Sequence, residues 1–188
     1  LLLVDLDPEI PQIMAGDEIR LKQILLNILS NAVKFTTEGE VRLTVRYVPA
    51  EGDGGSLQVE ISDTGLGIRP EDMPNLFSAF TRLDSKRTRA TEGTGLGLVI
   101  TRRLVDLMNG TLDVESKYGV GTTFRIVLPQ ISRGSEKIAA VHDSGSKSVL
   151  LYSTIPAERV LLAHILEKLH VAYVQCESVA QFSRYYSN

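Results

Sequence analysis

GDEIRLKQILLNILSNAVKFT, residues 16–36, carries apolar residues at helical spacing, and a helix over 17–37 is expected. Asp17 suits the N-cap, Glu18 suits the positive end of the helix, and Gly39 lies just beyond its C-terminus. At about 100° per residue, Gln23, Asn27, Asn31 and Lys34 share a sector of about 80°. Leu21, Ile24, Leu25, Ile28, Leu29 and Ala32 occupy the opposite side. A solvated face accounts for any one of the four polar residues. A ligand-presenting face accounts better for the whole stripe, since asparagine is a mediocre helix former and two of them stand four apart. A neutral amide oxygen can complete a Mg²⁺ shell whose charge comes from phosphates, and lysine adds a point charge for the phosphates themselves.

Working outward, residues 1–6 are rich in strand formers, and Pro8 and Pro11 end that run. Residues 41–48 and 57–62 alternate as half-buried strands do, with EGDGGS as the turn of an antiparallel hairpin. DTGLGI, residues 63–68, follows at once. Its glycines allow close approach to a flat ligand, and Asp63 can accept a hydrogen bond from an exocyclic amine. A plain turn with a capping aspartate is the other reading. Residues 71–80 read as a short helix or irregular segment with Phe77 and Phe80, and 81–95 as a polar loop. GTGLGL, residues 93–98, then leads into a helix from about Leu96 to Met108 that stops at Asn109-Gly110. Free N–H groups at such a junction form an anion site, although tight packing of the helix start explains the glycines equally well. The motif is neither a P-loop nor part of a parallel dinucleotide-binding unit. Strands near 111–116 and 122–128, turning at Tyr118-Gly119 and closed by Pro129, complete the first unit. The expected fold is an α/β two-layer sandwich, a mixed sheet with helices on one face.

Residues 131–148 read as a polar linker. In 149–188, VLLYS, a helix over 157–169 and VAYVQC give the start of a β-α-β unit. The 188 residues suffice for one domain, 1–130, and part of another. A net charge of −3 offers nothing to nucleic acid or an anionic membrane, and no apolar run approaches the ~20 residues of a membrane span. The single cysteine, Cys176, fits a reducing compartment. With Leu1 as its first residue, the chain reads as a piece of a longer protein, placed in the cytoplasm even if its parent is membrane-anchored.

In order and spacing, the three motifs, with FSAF (77–80) between the second and third, resemble the N, G1, F and G2 boxes of the GHKL ATP-binding fold. GDEIRLKQILLNILSNAVKFT, DTGLGI, FSAF, GTGLGL and RRLVDLMNGTLDVESKYGVGTTFRIVLP are similar to histidine kinases, particularly hybrid ones. The resemblance implies ATP and Mg²⁺ as cofactors. Asp63 would bind the adenine amino group, with Gly65, Gly67 and Ile68 shaping the pocket and Thr122 or Thr123 near the base. Asn31, assisted by Asn27, would hold Mg²⁺, Lys34 would contact phosphates and Phe35 would lie beside the nucleotide. Gly93, Thr94, Gly95, Leu96, Gly97 and Leu98 would frame the phosphate-facing helix. Residues 81–92 would be a lid, in which Arg82, Lys86, Arg87 and Arg89 are candidate phosphate contacts.

Hydrolytic relatives place a glutamate base four residues before the metal-binding asparagine. Asn27 stands there and cannot take a proton, so transfer of the γ-phosphate to a protein side chain is the favoured chemistry. His142, His164 and His170 lack the setting of kinase acceptors, which puts the acceptor on dimerisation helices of the same protein, upstream of Leu1. VLLYSTIPAERVLLAHILEKLHVAYVQC resembles the opening of a receiver domain, but Ser153 and Thr154 replace its acidic pair, so a degenerate docking or regulatory receiver is expected. A receiver domain, in cis or in trans, is the implied partner. A pseudokinase or regulatory module switched by nucleotide is the second reading, and an ATP hydrolase the third.

Overall fold

The computed structural model describes residues 1–78 and 96–186. Five strands and one edge partner form the main sheet: β1 (Leu2–Leu6), β2 (Met14–Ala15), β3 (Val41–Pro49), β4 (Gly54–Asp63), β5 (Thr111–Lys117) and β6 (Gly121–Ser132). Their order is β1-β3-β4-β6-β2, with β5 also on β6. β1 runs parallel to β3 and every other pairing is antiparallel, so the sheet is mixed as expected.

The helix of the opening motif, α1, spans Glu18–Phe35, and the Asp17 side chain accepts from the Arg20 N–H as its N-cap. A second helix, α2, spans Gly97–Leu107. Both lie on one face of the sheet. Ile24, Ile28 and Ala32 of α1 and Val105 of α2 join Val59, Ile61, Phe124 and Ile126 in one core, with Leu21, Leu25 and Leu29 packed against it. The apolar back of α1 therefore does what its periodicity predicts.

Two expected boundaries move by more than two residues. EGDGGS is not wholly a turn, because β4 already starts at Gly54 and pairs with β3 through Pro49↔Gly55. A Cβ on Gly55 would stand 2.3 Å from the Tyr47 hydroxyl, so the glycine makes room for a cross-strand tyrosine. Pro129 does not close the sheet either, since β6 runs on to Ser132. On one side β6 pairs with β4 throughout. On the other, β5 pairing ends at Val127 and β2 pairing begins at Ile131. Pro129 falls in the gap between those two partners, where its missing N–H costs no ladder bond. The segment beyond, expected as a plain linker, bonds back: Gln12 N–H donates to Glu136 O and Ile138 N–H to Ile10 O.

Residues 71–78 carry only a single 3₁₀ turn, Met73–Asn75. The second unit has β7 (Ser148–Leu151), α3 (Pro156–Lys168), β8 (Ala172–Gln175) and α4 (Val179–Tyr186), with β7 and β8 parallel. The expected β-α-β order is present, and α4 was not foreseen. α3 packs against β1, where Lys168 pairs with Asp7. Leu3 is buried on β1 while Leu2, Val4 and Leu6, alternating with it, stay exposed.

Candidate functional site

The site lies where the front of α1, the end of β4 and the start of α2 meet. Asp63 ends β4 opposite Thr122 of β6 and Val41 of β3. Its Oδ1 accepts from the Gly65 N–H at 2.9 Å, and the Thr122 backbone N–H also donates to the carboxylate. Burial still pushes its pKa up, the cost of desolvating the charged form outweighing both bonds. An ionised carboxylate offers about four lone-pair sites, so capacity remains for a further donor.

The turn after Asp63 is pinned from both sides. Leu66 N–H donates to Phe35 O at the end of α1, and Thr64 N–H donates to Glu40 O. From the β5–β6 turn, Gly119 N–H donates to Leu66 O at 2.7 Å, while Ile68 N–H donates to Ser116 Oγ at 2.8 Å. The glycines are sterically required here. A Cβ on Gly65 would sit 2.4 Å from Phe35 O, and one on Gly67 (φ +67°) 2.2 Å from Lys117 O. One on Gly121 (φ +142°) would fall 1.9 Å from Asp63 O.

Register separates the two threonines. Thr122 pairs with Asp63 and lies on the same face, almost buried, with its hydroxyl 3.0 Å from Ser116 Oγ. Thr123 pairs with Ser62 and alternates to the other face, away from Asp63. Of the pair expected near the base, only Thr122 is therefore beside the aspartate.

At the other end, Asn27, Asn31 and Lys34 are half-buried on one stripe of α1. Asn27 Nδ2 donates to Gly97 O at 3.2 Å and to Thr101 Oγ1 at 3.4 Å, tying α1 to the first turn of α2. Gln23 Nε2 donates to Asn27 Oδ1 at 3.1 Å. Phe35 is 38% exposed at the end of the same helix, with Lys34 Nζ 5.3 Å from its ring centre. Among the described residues, no group of three or more His, Cys, Asp or Glu could hold a metal ion. A divalent cation here would depend on amide oxygens together with ligand phosphates, and the stripe of two carboxamides fits that donor chemistry.

Leu96, Gly97 and Leu98 open α2 beside Asn27. Gly93, Thr94 and Gly95 lie outside the described residues, as do Phe80, the 81–92 segment and its four basic side chains. Sequence reasoning missed Ser116, Gly121 and Thr101 as supports of the site. Ser116 and Gly121 carry no sequence signal apart from register. Thr101 does carry one, being a hydroxyl one turn from Gly97 and one turn from Val105 on a stripe that proves to be 0% exposed at both Thr101 and Val105.

Residues 16–132 match the family described as histidine kinase-, DNA gyrase B- and HSP90-like ATPase. The chain is 41% identical over 128 residues to hybrid signal transduction histidine kinase B of Dictyostelium discoideum, covering 68% of this chain and 6% of that protein. It is 44% identical over 118 residues to the autoinducer 2 sensor kinase/phosphatase LuxQ of Vibrio cholerae, covering 62% of this chain and 14% of that protein. The chain thus spans only a small part of the curated relatives it matches. Among solved structures, full-length ShkA in complex with AMPPNP superposes with a TM-score of 0.71 at 28% identity, covering 95% of this chain and 35% of that one.

Proposed function

On the premise that this chain belongs to the histidine kinase-, DNA gyrase B- and HSP90-like ATPase family, we propose that it donates the γ-phosphate of ATP to a histidine on dimerisation helices of its parent protein. It is the ATP-binding catalytic domain of a two-component histidine kinase. The single observation that carries the site is Asp63, a carboxylate held by two backbone N–H groups with acceptor capacity to spare for the adenine amino group.

Around it the residues divide the work. Gly65 and Gly67 keep the pocket wall as bare backbone, Thr122 flanks the carboxylate and Phe35 borders the base. Asn31 and Asn27 would hold Mg²⁺ through their amide oxygens, and the chemistry Mg²⁺ supplies when bound is neutralisation of phosphate charge. Lys34 adds a cation, and the first turn of α2 offers N–H groups and the positive end of a helix. In phosphoryl transfer, positioning and charge neutralisation are most of the catalysis, and no general base is needed on this chain. Asn27 in place of a carboxylate supports transfer over hydrolysis, because it cannot deprotonate water.

The second unit is proposed as the opening of a receiver-like domain, from residue 149, that acts in docking or regulation. Ser153, in the loop before α3, donates to Glu158 of that helix, and neither Ser153 nor Thr154 supplies the anionic charge a metal site there requires. Among the described residues no helix is long and apolar enough to cross a membrane, and a cytoplasmic place for this portion is proposed. Its partners are the dimerisation helices and a receiver domain.

Calorimetric titration with ATP tests the site. Wild type binds with a gain in affinity from Mg²⁺. Asp63→Asn, which swaps an ionised acceptor for a neutral amide, weakens binding by roughly 10- to 100-fold with or without the metal. Asn31→Ala instead removes most of the Mg²⁺ gain. A wild-type chain that binds no nucleotide would sink the reading.

A further inference from the structure

Magnesium takes oxygen, so a carboxamide is a useful ligand only when it presents Oδ1 and keeps Nδ2 elsewhere. The structure shows what fixes that choice at Asn27. Its Nδ2 points to α2, where two oxygens receive it, Gly97 O at 3.2 Å and Thr101 Oγ1 at 3.4 Å. Thr101 has one hydroxyl proton and gives it to Gly97 O at 3.0 Å. Toward Asn27 the hydroxyl is therefore an acceptor only. Turning the amide over would set Oδ1 against two acceptors and Nδ2 against the Gln23 Nε2 that now donates to Oδ1 at 3.1 Å. Thr101 is 0% exposed, so no solvent can replace its hydroxyl.

We propose that Thr101 is a positioning residue that locks the Asn27 carboxamide with its oxygen available to a divalent cation, and that it ties this orientation to the first turn of α2. The inference rests on the nucleotide-site reading above and deepens it. Thr101 touches neither cation nor nucleotide and acts through Asn27. Residues behind a metal ligand that fix its orientation commonly change metal affinity by 10- to 100-fold. Thr101 stands at the near end of that range, because Gly97 O remains as a second acceptor for Nδ2.

The test uses the full 188-residue chain, with Thr101→Val, which keeps the shape and removes the hydroxyl, and Thr101→Ser, which restores it. ADP affinity is measured by calorimetry with EDTA and with Mg²⁺, and the Asn27 side-chain amide is followed by ¹⁵N–¹H NMR without ligand. The expected result is that Thr101→Val binds ADP in EDTA like wild type but loses about tenfold of the Mg²⁺-linked gain. Thr101→Ser regains it, and the Asn27 NH₂ protons exchange faster only in the valine variant. An equal loss with and without Mg²⁺ would mark a merely structural role and overturn the proposal, as would an unchanged Mg²⁺ gain. If Thr101→Val fails to fold, Thr101→Ala and the serine rescue carry the same comparison. A wild-type chain with no Mg²⁺-linked gain overturns the site reading itself, together with this inference. A wild-type gain that the variants keep overturns only the inference.

Discussion

At the Asp63 end of the site the parts are mostly backbone: two N–H groups on the carboxylate, the Phe35 and Glu40 carbonyls on the following turn, and glycines with no room for a Cβ. At the Asn27 end they are side chains, a chain of amides and one hydroxyl running Gln23, Asn27, Thr101. Backbone tied into a sheet has few alternatives, whereas a side-chain amide keeps its orientation only while its hydrogen-bond partners stay in place. Under the proposed function, the rigid backbone end suits recognition of the flat base, and the end whose geometry depends on single side chains suits phosphate and metal. Substitutions at the first end should therefore act on fold and affinity together. Substitutions at the second should act on metal linkage with the fold intact.

The largest effect is expected at Gly121. Alanine there meets a φ of +142° and places its Cβ 1.9 Å from Asp63 O. Left-handed strain and overpacking against backbone together cost about 3 kcal/mol or more. Thermal unfolding followed by circular dichroism should show a midpoint lowered by roughly 10 °C. Gly145, with nothing within 4 Å of an added Cβ, is the control, and alanine there should leave the midpoint unmoved. A Gly121→Ala chain as stable as wild type would mean that the rigid end is softer than its contacts imply.

Next in size is the pH response of Asp63. Burial raises its pKa in the folded chain, so the protonated form is favoured there. A neutral carboxyl is a poor acceptor for an amine, and ADP affinity should fall on acidification with a midpoint above the ordinary aspartate value. Asp63→Asn should lose that titration. For stability the sign is opposite. With the folded pKa above the unfolded one, the contribution of Asp63 is fully present below the unfolded pKa and is lost as pH rises through the folded pKa. At pH 7 the unliganded Asp63→Asn chain should therefore be at least as heat-stable as wild type while binding ADP far more weakly. Calorimetric titrations between pH 7.5 and about 5, paired with unfolding scans, measure both halves. A variant that loses stability at pH 7 would show that Asp63 props up the fold instead of straining it for binding.

The helix α1 was legible to within two residues of its C-terminus, expected at 37 and found at Phe35, because period, cap and polar stripe all agree over eighteen residues. DTGLGI was legible as a turn whose aspartate can accept a hydrogen bond. The supports behind both were not. Whether Thr122 or Thr123 flanks Asp63 depends on the β4–β6 register, which no single strand reveals. Pro129 looked like a stop because its tolerance depends on where two other strands end. The Lys168–Asp7 pair joins residues 161 apart, beyond any local pattern. α4 was missed because its aromatic-rich stretch near the end of the chain lacks a long apolar period.

The smallest effect separates the two ends most cleanly. Ser116 Oγ accepts from the Ile68 N–H and donates to Gly121 O, holding the turn after Asp63, the proposed wall of the base pocket, from the β5 side. Alanine leaves the Ile68 N–H without its partner at a partly buried site, which costs about 1–2 kcal/mol at most. Since the wall moves but the amide chain does not, ADP affinity should fall a few-fold by the same factor in EDTA and in Mg²⁺. Asn27→Ala should do the reverse, sparing affinity in EDTA and lowering the Mg²⁺ gain. Ser116→Ala that selectively lowered the Mg²⁺ gain would show that the pocket wall and the amide chain move as one body, and that the site is not built from two independent halves.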